Sequence, residues 1–174
     1  AALSLKDAQK RNFYLDFYLN RDTVVDGCGQ LSLPSASKLW FTPDGHWKEP
    51  GGYHNYPVSK LIEAALMLEN NGYQIFNQYP ILLNASYVML KYSFPDLTAS
   101  AFGDTGRPRQ SMECLESAIL MADKYQLPIL PDLLNAAMIL EQAGQYDRSK
   151  SGLTGLLCYL PELPKAKSGD NHLW

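Results

Sequence analysis

Residues 44–56 read Asp-Gly-His-Trp-Lys-Glu-Pro-Gly-Gly-Tyr-His-Asn-Tyr and hold two of the chain's three histidines. Gly45, Pro50, Gly51 and Gly52 oppose a regular helix or strand through most of this stretch. Within it Tyr53 and His54 stand side by side, a phenol and an imidazole suited to moving protons to and from a carbon acid. An unperturbed tyrosine titrates near ~10, so a tyrosine base needs a nearby cation or strong hydrogen-bond donors. Tyr53 and His54 are therefore the candidate catalytic groups read from the residues. His46, Trp47, Asn55 and Tyr56 are candidate substrate contacts. Asn55 precedes a helix, where free N–H groups and the helix dipole favour an anion, and it reads either as the N-cap or as a substrate ligand. Trp47 and Tyr56 read either as packing beneath the loop or as a platform for the apolar face of a sugar ring. His46, Glu49 and His54 lie on a loop rather than on one helix face, so the expectation is no metal site.

A second chemical stretch is Phe102-Gly103-Asp104-Thr105-Gly106-Arg107-Pro108-Arg109. It lacks the Gly-Lys-Ser/Thr ending of a phosphate loop, which argues against nucleotide binding. Arg107 and Arg109 can present guanidinium groups to a carboxylate or sulfate, or Arg107 can pair with Asp104 to fix a tight turn.

These segments need a scaffold, and helical periodicity dominates the rest. Stripes are expected over 4–20, over 57–70 (Val58, Leu61, Ile62, Ala65, Leu68) and over 81–92 (Leu82, Ala85, Val88, Met89). Two more cover 110–125 and a helix opened by Pro131 and closed by Gly144, and a short helix is expected over 152–159. The helix over 4–20 is apolar around most of its circumference and is expected to be buried on more than one side. Alternating strand patterns of useful length are absent. The expected fold is all-α, a single helical domain over 1–174 with long connectors at 21–56 and 94–109. Connectors of such length are often functional.

Of the 174 residues, 46% are apolar and 19% charged, which suits a globular core. Net charge is −3 and no basic run occurs, so nucleic acid is not an expected partner. No stretch approaches the length of a membrane span. Cys28, Cys114 and Cys158 have no metal-ligand spacing and read as small buried residues. The missing initiator methionine and the abrupt end at His-Leu-Trp raise the expectation of a piece cut from a longer protein.

Asp44-Gly45, Glu49 and Tyr53-His54, then Ser93-Phe94-Pro95-Asp96 and Phe102-Gly103-Asp104, resemble in order and separation the heparinase II/III-like polysaccharide lyases. The resemblance covers residues 40–110. It implies antiparallel helical hairpins forming part of an incomplete (α/α) toroid, with a β-sandwich domain of the same parent chain lying downstream. It also implies β-elimination on an acidic, uronic-acid-containing polysaccharide, in a periplasmic or secreted location. Tyr53 would be the catalytic acid/base and His54 its companion, while Glu49 would meet the substrate carboxylate or brace the loop. No cofactor is implied in these residues, and a structural metal would belong to the remainder of the parent. The family's carboxylate-neutralising asparagine has no counterpart upstream of residue 40, and its further histidine belongs to the sandwich domain. His172 matches neither. The alternatives are a helical carbohydrate-binding module without chemistry, and a glycoside hydrolase using Glu49 and Asp104.

Overall fold

The computed structural model describes residues 2–25, 27–49, 51–99 and 109–144. A short 3-10 turn leads into α1 (Ala8–Asn20), whose Asp7 cap accepts from the Gln9 and Lys10 amides at 2.9 and 3.1 Å. There follow a small antiparallel hairpin of β1 (Thr23–Val25) and β2 (Cys28–Gln30), then α2 (Leu33–Leu39), started by Pro34. The remaining helices are α3 (Asn55–Glu69), α4 (Ile75–Gln78), α5 (Pro80–Lys91), α6 (Met112–Lys124) and α7 (Leu130–Gln142). The described chain is thus all-α apart from one two-stranded hairpin. No described helix is long and apolar enough to cross a membrane.

The core lies where α3, α5, α6 and α7 meet, because each brings an apolar stripe at helical spacing. Val58, Ile62, Ala65 and Leu68 are buried as their spacing predicts, joined by Leu66, while Leu61 is only partly covered. On α5 the expected Leu82, Ala85, Val88 and Met89 are buried, and so are Leu83, Ser86, Tyr87 and Leu90. This near-complete burial makes α5 the central helix, packed against α3, α4 and α6. Gly72 at φ 87° and Gly144 at φ 65° end α3 and α7 in the left-handed conformation that glycine adopts without strain.

Several expectations need correction. On α1 only Leu15 is buried, whereas Phe13 and Tyr14 are half exposed and stack edge-to-face at 5.4 Å. One face of this helix packs and the other faces solvent. The connector 21–56 is not structureless, since it contains β1, β2, α2 and two turns. Cys28 is exposed on β2, whose side chains all face solvent, while Cys114 is buried in α6. Cys158, His172 and the helix expected over 152–159 lie outside the described residues.

One buried charge ties the far end of this core together. Glu69, at the end of α3, accepts from the Phe76 amide at 2.9 Å and from the Tyr125 hydroxyl at 3.0 and 3.1 Å. It also pairs with Lys124 at 2.5 Å. Burial, and then the Glu69 carboxylate, push the Tyr125 phenol up to about 12. Glu69→Ala strands the Phe76 N–H and the Tyr125 hydroxyl. Urea denaturation should show a loss of about 2–3 kcal/mol.

Candidate active site

The segment before α3 is built on a tight turn. Thr42-Pro43-Asp44-Gly45 closes with the Gly45 amide donating to the Thr42 carbonyl at 2.9 Å, proline at the second position and glycine at the fourth. The flanking residues zip as a miniature hairpin. Phe41 bridges Trp47, the Thr42 amide donates to the His46 carbonyl at 2.8 Å, and the Lys48 amide donates to the Trp40 carbonyl at 3.0 Å. Gly45 has φ 99°, and a Cβ there would lie 2.7 Å from the Ala85 nitrogen and 2.8 Å from the Asn84 Cβ. The turn therefore rests directly on the backbone of α5. Gly45→Ala combines a left-handed backbone with a clash against a rigid helix, and should cost about 2–4 kcal/mol by urea denaturation.

Two histidines grip the hairpin from opposite sides of one residue. The Trp47 N–H can only donate, so His54 Nδ1 accepts it at 2.9 Å, and His54 Nε2 must carry the proton it donates to the Ala85 carbonyl at 2.9 Å. The Trp47 carbonyl can only accept, so His46 Nδ1 is the protonated nitrogen, at 2.6 Å. The two rings thus hold opposite tautomers, with centroids 5.0 Å apart. His54 is 1% exposed, and burial drives its pKa down to about 4. With both nitrogens engaged inside the core, the ring holds the loop against α5 and does not meet solvent. The sequence pairs it with Tyr53 as a proton-transfer group; in this geometry both of its ring nitrogens are committed, one to the hairpin and one to α5.

Tyr53 ends a 3-10 turn (Gly51–Tyr53) and is 47% exposed. Asn55 is the first residue of α3, so the cap position falls to His54, which makes no side-chain cap bond. The asparagine amide instead donates to the Arg109 carbonyl at 2.7 Å. That bond, with the Thr98–Arg109 bridge, brings the exposed Arg109 beside the start of α3. Tyr56 is 75% exposed on the first turn. Trp47 is half-buried, edge-on to Trp40 at 5.4 Å and to Phe41 at 5.5 Å, so it packs beneath the loop. Its indole N–H donates to Glu49 at 2.9 Å, which makes the exposed Glu49 carboxylate a brace for the loop in this geometry. Arg107 and Asp104 lie outside the described residues.

Sequence reasoning missed Tyr92. It stands 48 positions from Asp44, yet its hydroxyl donates to that carboxylate and its ring meets His46 edge-on at 5.3 Å. The Thr42 hydroxyl and then the Tyr92 hydroxyl hold the Asp44 carboxyl down to about 2, while the same bond raises the Tyr92 phenol. No local signal marks Tyr92, because the contact is made only by the fold. The turn at 42–45, by contrast, carries a local signal in its proline and glycine. In Ser93-Phe94-Pro95-Asp96 the aspartate accepts from the Thr98 amide at 3.0 Å, closing a side-chain turn that leaves Phe94 exposed. Among the described residues no group of three or more His, Cys, Asp or Glu side chains is arranged to hold a metal ion. Comparison with protein-family models, curated proteins and solved structures finds no match to this chain.

Proposed function

We propose that the chain is the helical part of a heparinase II/III-like polysaccharide lyase, an incomplete (α/α) toroid of antiparallel hairpins acting on uronate-containing polysaccharide. The observation that carries this reading is Tyr53, a solvent-facing phenol fixed one residue ahead of the buried His54 clamp. In the reaction Tyr53 takes the C5 proton of the uronate. The C5–H electron pair becomes the C4–C5 double bond, and O4 leaves with its own pair and receives a proton. Tyr92 is not assigned this role, since its hydroxyl donates to Asp44 and that bond, raising its pKa, keeps the phenol protonated. On this reading a neutral His46, with its Nε2 lone pair, relays the proton. Arg109 and the start of α3 favour the substrate carboxylate. The remaining neutralising group comes from elsewhere in the parent, together with a β-sandwich domain, in a periplasmic or secreted setting. The proposal assigns no cofactor.

The test is an assay of the full-length parent on a panel of sulfated and unsulfated uronate polymers, following the near-ultraviolet absorbance of the unsaturated product. At least one polymer should give a steady rise. No rise on any of them, with polymer binding retained in Tyr53→Phe, replaces the lyase with a carbohydrate-binding module. The exposed rings of Tyr56, Tyr92 and Phe94 would be the stacking surfaces of such a module.

A further inference from the structure

The 41–48 hairpin also borders a cleft that neither His46 nor His54 lines. There, with α2 and the start of α5, it encloses a cavity of about 660 Å³, within the size range of small-ligand sites. Its walls include Phe41, Pro43, Tyr79 and Pro80, and its charged groups are Lys38 from the last turn of α2 and Lys48 from the hairpin. Among the described residues no acidic one lines it, although the chain as a whole carries 18 acidic against 15 basic residues. The bond from the Lys48 amide to the Trp40 carbonyl fixes the hairpin against the end of α2, so the two lysines belong to one rigid frame. Ser37, also in the wall, has a buried hydroxyl that makes no hydrogen bond among the described residues.

We propose that this cavity is a binding subsite for one acidic sugar unit of the polysaccharide, separate from the Tyr53 site. The argument is charge complementarity together with shape. Flat proline and aromatic walls suit the C–H face of a pyranose ring, and two ammonium groups suit its carboxylate or sulfate. An adjacent neutral hydroxyl suits a ring hydroxyl. The identity of the ligand rests on the lyase reading above, whereas the preference for an anion rests on the cavity alone. Neither His46 nor Tyr53 lines the subsite, so it anchors the polysaccharide and takes no part in proton transfer.

The test is calorimetric titration of the full chain with a uronate tetrasaccharide and with its methyl ester, in wild type, Lys38→Ala/Lys48→Ala and Tyr53→Phe. Both lysines are exposed, so thermal melting of the double variant should match wild type and serves as the folding control. The acid should bind, the ester should bind ~10-fold or more weakly, and the double variant should lose a similar factor, the scale of one charge-assisted hydrogen bond. Tyr53→Phe should bind like wild type. Equal binding of acid and ester, undiminished binding in the double variant, or no binding of the acid at all would overturn the subsite. If the lysine variant loses binding while the parent cleaves no uronate polymer, the subsite stands and the lyase reading falls. If the parent cleaves and the lysines change neither binding nor KM, the lyase reading stands and the subsite falls.

Discussion

Tyr53→Phe should lower turnover of the parent protein by ~10²–10⁴-fold, the usual scale for a lost general acid or base. KM and the melting temperature should scarcely move. The substitution deletes one oxygen from a half-exposed ring and creates no buried cavity. Surface changes of this kind ordinarily stay within about 0.5 kcal/mol. Initial rates and thermal melting on the same preparations separate the two roles. A melting temperature that fell as far as that of a core truncation such as Ile119→Ala, at a position with 0% exposure, would make Tyr53 a structural residue.

His54→Ala should have the opposite signature, a large loss of stability. It strands the Trp47 N–H, removes the second hydrogen bond to the Ala85 carbonyl, and opens a void beneath the hairpin. One unpaired buried donor, a lost second bond to the Ala85 carbonyl and a cavity together amount to about 3–6 kcal/mol, readable by urea denaturation. Turnover would fall as well, because Tyr53 loses its support. A variant as stable as wild type but without activity would return His54 to the chemistry.

The same residue sets an acid limit. Its folded-state pKa of about 4 lies below the ordinary value of 6.5, with burial as the chief cause and the neighbouring His46 as a lesser one. A proton therefore prefers the unfolded chain. The contribution is complete above about pH 6.5 and is lost as pH falls towards 4, a total of about 3 kcal/mol. Urea midpoints measured between about pH 7 and pH 4 should show this slope, and His54→Ala should flatten it.

The helices were legible because apolar side chains at 3.6-residue spacing must face a common core, and α3, α5, α6 and α7 each carry such a stripe. The short elements α2 and α4 were not, since seven and four residues are too few for a period to emerge. At the site, the structure separates the two histidines in a way the sequence does not. Nothing local distinguishes His46 from His54. What separates them is that the Trp47 amide and the Ala85 carbonyl, 31 positions beyond His54, both need partners inside the core. The N-cap alternative for Asn55 fails for a similar reason, because its amide donates to the Arg109 carbonyl, 54 positions away.

Gly45 rests on the backbone of Ala85, and His54 donates to the carbonyl of that same alanine. Two separate points of a loop are thus fastened to one peptide segment of the central helix. Mechanically the loop is an outgrowth of α5, although by connectivity it leads into α3. A shift of α5 along its axis would carry the phenol of Tyr53 with it. A shift of α3 would have to pull against both fastenings. An alanine with no reactive group of its own is therefore the reference point from which the proposed acid/base is aimed.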